Sequence, residues 1–140
     1  MTLQTADITG EIRGEHITVR CECTVCNRCG FQVLSDEQSN FYTIVSADAF
    51  RKRHGLLTSR QLKDTRQRLG MSQKGFAAYL RVGVASVKRW ELGLIQDEAL
   101  DQLIRLRTDL DAARSNKREL ESRLKVPSPQ RPQAADVTVR

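Results

Sequence analysis

Between Thr58 and Gly93 the chain is punctuated by Gly70, Gly83 and Gly93 into three short segments, each with its own helix start signal or stop signal. Thr58-Ser59-Arg60-Gln61 has the form of a capping box, in which the Thr hydroxyl and the Gln side chain each satisfy an orphan backbone N–H. Leu62, Arg66 and Leu69 follow on one helical face, closed by Gly70. Ser72 can cap a second helix that buries Phe76, Ala77 and Leu80. After a turn at Arg81-Val82-Gly83, a third helix runs from Val84 to Leu92 and Gly93 stops it. Three helices of this length with such tight turns predict a compact trihelical unit over residues 55–96.

The formal charge of +6 is concentrated in the same region. Counting Lys and Arg against Asp and Glu, residues 1–50 carry −4, 51–93 carry +9, 94–125 carry 0 and 126–140 carry +1. The basic block holds only Asp64 and Glu91 as acids. Such a block predicts a nucleic-acid surface, because each phosphate neutralised by Lys or Arg releases condensed counterions. A solvated charged face is the plain alternative. Arg51, Lys52, Arg53, Arg60, Lys63, Arg68, Lys74 and Arg81 are the candidate phosphate contacts, with part of that set expected to be merely solvated. On the third helix, Arg89 can place its fork on guanine O6 and N7 or hold a phosphate, Lys88 offers a movable charge and Ser86 a short donor or acceptor. Val84 and Ala85 offer apolar contact alone, such as with a thymine methyl, so part of any specificity is expected from DNA shape.

The first third reads as β structure. From His16 to Val25 polar residues alternate with Ile17, Val19, Cys21, Cys23 and Val25, the period of two that puts one face on a core. Ile8 to Arg13 is the expected hairpin partner, with the turn at Gly14, and Phe31 to Leu34 a further short strand. From about Asp36 to His54, Phe41, Ile44, Val45, Asp48 and Ala49 recur at three-and-four spacing, which predicts a helix ending near Gly55. Residues 1–54 are thus expected to form an N-terminal β unit with a helix.

All four cysteines fall within Cys21-Glu22-Cys23-Thr24-Val25-Cys26-Asn27-Arg28-Cys29-Gly30. Short loops and an expected cytoplasmic setting argue against a disulfide framework. Cys26-x-x-Cys29-Gly30 has the form of one zinc knuckle, and a structural zinc needs four ligands. Cys21 and Cys23 could complete the set, His16 could substitute, or two chains could share an ion. Alternatively, Cys21 and Cys23 are plain buried thiols on the Ile17 and Val19 face. The spacing Cys23-x-x-Cys26-x-x-Cys29 also touches on iron–sulfur ligation, without the usual following Cys and Pro.

Asp97 to Lys125 contains no Gly or Pro, and Ala99, Leu103, Leu106, Leu110, Ala113, Lys117, Leu120 and Leu124 alternate steps of four and three. That heptad seam predicts a long amphipathic helix over 97–125, either dimerising with a partner helix or folded back on its own domain. Residues 126–140, with three prolines among Gln, Ser and Ala, read as a disordered tail. No run approaches the ~20 apolar residues of a membrane span, and Met1 to Gly10 lacks the pattern of a secretory signal, so the expectation is a cytoplasmic protein without a membrane partner. An enzyme is not expected: His16 and His54 are the only histidines, and neither a Ser-His-Asp set nor a Gly-rich phosphate loop occurs.

The stretch Gly70 to Gly93 resembles the Cro-type (xenobiotic-response-element) helix-turn-helix family, through small Ala77 at a helix crossing, apolar Val82 in the turn, Val87 in the core and the Arg89-Trp90-Glu91 close. The resemblance implies that Val84 to Glu91 is a recognition helix entering the major groove, with Gln73 beginning the preceding helix at phosphates or a base edge. It also implies an internal ion pair between Arg66 and Glu91, and Trp90 reads as core. Joined to the cysteine knuckle, to Gly55-Leu56-Leu57-Thr58 and to Gly93-Leu94-Ile95-Gln96-Asp97-Glu98-Ala99, the order is similar to that of MqsA-type antitoxins and their phage and mobile-element relatives. That likeness implies a homodimer repressing its own operon on a palindromic operator, with the N-terminal unit as the place to hold a toxin. The additional upstream Cys-x-x-Cys usual in that group is absent, and Ala85 stands where its archetype has a polar base-reading side chain. The expected fold is therefore α+β, and the expected function is sequence-specific transcriptional regulation. An antitoxin and a cysteine-based metal or redox sensor are the alternatives.

Overall fold

The computed structural model of the chain describes residues 1–109 together with Ser115, Arg118, Glu119, Glu121, Ser122 and Leu124. It is an α+β structure in which a three-stranded antiparallel sheet of order β1-β2-β3 precedes the helices. The strands are β1 (Thr2–Ile12), β2 (Glu15–Val25) and β3 (Gln32–Val33); the helices are α1 (Asp36–Arg53), α2 (Ser59–Arg68), α3 (Gln73–Leu80), α4 (Val84–Glu91) and α5 (Glu98–Thr108). The chain divides into two units, Met1–Gln102 and Leu103–Arg140.

The alternation of β2 has the expected consequence: Ile17, Val19, Cys21 and Cys23 are buried, while His16, Thr18, Arg20 and Glu22 are exposed. Its hairpin partner is longer than expected, because β1 pairs in continuous register from Thr2↔Val25 to Ile12↔Glu15. Arg13 and Gly14 form the two-residue turn with φ of 49° and 82°, and positive φ at both positions matches the right-handed twist of the strands. A non-glycine residue there costs roughly 1–2 kcal/mol. Arg13 is held in place by its side chain, which stacks its guanidinium 5.6 Å from the Phe50 ring centroid and donates to the Ile95 carbonyl at 3.3 Å. The expected third strand shrinks to two residues, pairing Thr24↔Val33 and Val25↔Gln32.

α1 lies against the sheet, where Ile17, Val19, Cys21 and Phe50 form a core joined by Ile8, Ile12, Tyr42, Val45, Ala49 and Ile95. It begins at a capping box in which the Ser35 hydroxyl accepts from the Gln38 N–H at 3.2 Å and the Gln38 side chain accepts from the Ser35 N–H at 3.0 Å. α2 begins at the expected Thr58 and Gln61 box, with distances of 3.3 and 2.9 Å. The Ser72 hydroxyl caps α3 by accepting from the Gly75 N–H at 3.0 Å. Leu62, Phe76, Ala77, Leu80, Val87 and Trp90 are buried, and α4 packs on both α2 and α3. Each large apolar side chain so placed contributes on the order of 1.5–3 kcal/mol.

Asp97 directly precedes α5, and its carboxylate accepts from the Leu100 N–H at 2.8 Å. Leu110, Ala113, Lys117 and Leu120 of the expected heptad seam, and the tail from Val126, lie outside the described residues. Among the described residues no helix is long and apolar enough to cross a membrane.

Candidate nucleic-acid interface

The short α4 helix is sorted into two faces by its own sequence. Val87, Trp90 and Glu91 are buried, whereas Val84, Ala85, Lys88 and Arg89 are exposed and Ser86 is half-buried. The turn ahead of it is tight: Arg81 takes a left-handed conformation with φ of 58° and its N–H bonds back to Ala78, while the Val82 N–H donates to the Ala77 carbonyl at 3.0 Å. Ala77 is buried beside this turn, where a larger side chain would hold the helices apart.

The base of α4 is fixed by charge. Arg66 on α2 donates through Nε to Glu91 Oε1 at 2.6 Å and through Nη2 to Oε2 at 3.3 Å, with Nη1 on the Met71 carbonyl at 3.0 Å. Both side chains are largely buried, so this forked pair is screened little by water. Gln73 completes the group by donating Nε2 to Glu91 Oε2 at 2.7 Å. Of the side chains expected at a ligand, Gln73 is thus engaged inside the protein, while Lys74 on the same helix turn is exposed.

A second cluster corrects one sequence expectation. Arg51, taken with Lys52 and Arg53 as a phosphate contact, has no exposed surface. Its Nε donates to Gln96 Oε1 at 3.0 Å, Nη1 to Asp48 Oδ1 at 2.9 Å, and Nη2 to the carbonyls of Trp90 and Leu94 at 2.9 and 2.8 Å. Gln96 in turn donates to the Leu57 carbonyl and to Asp101, and Asp101 accepts from the Leu57 N–H at 2.8 Å. Asp48 also accepts from the Ser59 N–H at 2.8 Å and from the Ser59 hydroxyl. Arg51 therefore ties α1 to the C-terminal end of α4 and to the start of α2. Burial pushes its pKa down, and Asp48 and then Asp101 hold it up. Lys52, Arg53, Arg60, Lys63, Arg68, Lys74 and Arg81 are all exposed, with Arg53 turned to Glu15 at 3.8 Å and the His16 carbonyl at 3.3 Å and Arg60 turned to Asp64 at 3.8 Å.

The cysteines separate into two pairs. Cys21 and Cys23 face the core on β2, where burial and then the neighbouring Cys23 push the Cys21 pKa up. Cys26 is half-buried and Cys29 exposed, in a loop closed by Cys26 N–H to Phe31 carbonyl and Gly30 N–H to Cys26 carbonyl bonds of 2.9 Å each. Gly30 at φ of 72° lets the chain close. The backbone N–H groups of Cys29 and Arg28, then the Cys29 thiol, pull the Cys26 pKa down. Among the described residues no three His, Cys, Asp or Glu side chains converge to hold a metal.

No protein-family model matches the chain, and no curated protein is similar to it.

Proposed function

We propose that this chain is a sequence-specific DNA-binding transcriptional regulator of helix-turn-helix type, with Val84–Glu91 in the major groove. The observation that carries the reading is the two-faced α4 helix. Its inner face is locked by Val87, Trp90 and the Arg66–Glu91 pair, and its outer face offers Val84, Ala85, Lys88 and Arg89. Arg89 is the side chain suited to a guanine edge, Lys88 and Lys74 to phosphates, and Val84 with Ala85 to a thymine methyl. The surrounding exposed cations supply the sequence-independent attraction. In this reading two copies act together on a palindromic operator, since one eight-residue helix reads only a few base pairs and two-fold proteins double that length. Repression of its own operon is the regulatory outcome we favour. Selection of bound duplexes from a random pool tests the proposal: an enriched two-fold symmetric motif supports it, and a pool that stays random refutes sequence-specific binding.

The Cys26 and Cys29 loop favours a second reading, a regulator whose DNA affinity responds to oxidation. Peroxide joining the two thiols as a disulfide would release two waters per peroxide consumed. Operator affinity measured before oxidation, after it and after re-reduction decides this: a reversible change supports the sensor, and identical affinities exclude it.

A further inference from the structure

The sheet leaves one side of β2 open. Two residues of β2, Thr24 and Val25, meet β3, so among the described strands Glu15 to Cys23 has no neighbour on that side. The two-residue turn makes Ile12 and Glu15 the closing hydrogen-bonded pair, so the odd-numbered residues of β2 exchange main-chain bonds with β1. His16, Thr18, Arg20 and Glu22 therefore aim their N–H and C=O groups outward. Thr24, next in that series, uses the same side to meet β3, and the His16 carbonyl accepts from Arg53 Nη1 at 3.3 Å. Thr5 of β1 and Arg20, Cys21 and Glu22 of β2 form a groove of about 440 Å³ with Glu37, Gln38 and Phe41 of α1. Phe41 is 55% exposed there, a large aromatic surface left to water.

The charge pattern of the edge selects an occupant. Antiparallel pairing of β2 with a second copy must match outward-aimed residues to outward-aimed residues, which restricts the two-fold axis to a few positions. An axis at Val19 sits at the centre of the open stretch Glu15–Cys23. It sets Thr18 opposite Arg20 and His16 opposite Glu22, and each match occurs twice. The core-facing row is then Ile17 opposite Cys21 with Val19 on the axis. No like charges meet. An axis one residue later would face Arg20 with Arg20 and run into β3. The free side of β1 lacks this self-complementarity, since its outward residues Leu3, Thr5, Asp7, Thr9 and Glu11 include acids and no base.

We propose that a second copy of this chain adds to the open edge of β2, joining the two sheets into one continuous sheet that is four strands wide, β1-β2-β2-β1, about a two-fold axis at Val19. Main-chain bonds hold the pair and the Thr18·Arg20 and His16·Glu22 matches set its register. The contact stands independently of the DNA-binding reading, and either can fail alone.

Amide hydrogen exchange on the full chain, with light scattering for mass, tests it. In a monomer the Thr18, Arg20 and Glu22 amides face water, whereas the Val19 and Cys21 amides are bonded to β1 and report folding. The pairing predicts that the three outward amides slow as concentration rises, by roughly tenfold for a hundredfold increase once the dimer dominates, by mass action. Thr18→Arg sets cations against Arg20 of the second copy at both matches. It should abolish the slowing while Val19 and Cys21 stay protected; Thr18→Glu should strengthen it. Outward amides that exchange at one rate at every concentration overturn the proposal, as does slowing that survives Thr18→Arg. A dimer mass with those amides still fast places the dimer contact elsewhere and also overturns it.

Discussion

Replacing Arg51 by Met keeps much of the side chain's volume and removes its five donors. The Trp90 and Leu94 carbonyls and Gln96 Oε1 would each lose a partner at 2.8–3.0 Å. Asp48 would keep its Ser59 bonds but lose its cation, and it is one-fifth exposed, so its loss is the smallest. An unsatisfied buried acceptor costs about 1–3 kcal/mol, and Gln96 can recover part of its loss by rotating. The expected destabilisation is about 3–5 kcal/mol, the range for breaking a buried charged pair. Urea unfolding followed by circular dichroism measures it as a fall in midpoint at unchanged slope. Arg51→Lys should recover only part, because one ammonium cannot reach four acceptors. A loss below about 1 kcal/mol for Arg51→Met, with weakened binding to any DNA, would return Arg51 to the surface role its place in the Arg51-Lys52-Arg53 run implies.

Glu91→Ala leaves Arg66 without its forked partner and Gln73 without an acceptor, and should cost about 3 kcal/mol, with little change between low and high salt in thermal unfolding. Gly93→Ala should cost about 2–3 kcal/mol, since a Cβ there would lie 3.1 Å from the Thr43 carbonyl oxygen and the backbone sits at φ of 106°. Because the folded state pulls the Cys26 pKa below the ordinary thiol value, its contribution to stability should be lost as pH falls through that lowered value and be fully present above the ordinary one. Cys21 acts oppositely, its contribution being lost as pH rises past the ordinary value, so alkylation mapped by mass spectrometry should label Cys26 well below the pH at which Cys21 reacts.

What the sequence discloses follows the range of the forces involved. Alternation along β2, the Thr58 box and the glycine stops are local signals, and the elements they mark form where expected. The first residues of β1 are exposed on both faces, so Thr2 to Thr5 carry no alternation to read, and pairing with β2 alone extends the strand. Arg51 looks like any member of a cationic run; its partners Trp90, Leu94 and Gln96 lie some forty residues away, and only packing brings them together. Gln73 is polar at a helix start, a good place for a phosphate contact, yet Glu91 takes its amide. The Arg66–Glu91 pair was reachable only through the family resemblance, because nothing in residue spacing links positions 25 apart. The open β2 edge became visible once the third strand proved two residues long.

The central claim is that the outer face of α4 reads base sequence, and an anisotropy titration of the full chain against DNA from upstream of its own gene tests it most directly. Wild type and Arg89→Ala are compared on that duplex and on a scrambled one at two salt concentrations. The account predicts tighter binding to the natural duplex, weakening with salt, and a loss of about 1–3 kcal/mol of discrimination in Arg89→Ala while affinity for scrambled DNA changes far less. Equal binding of both duplexes by the wild type would contradict it, and so would discrimination that Arg89→Ala leaves intact.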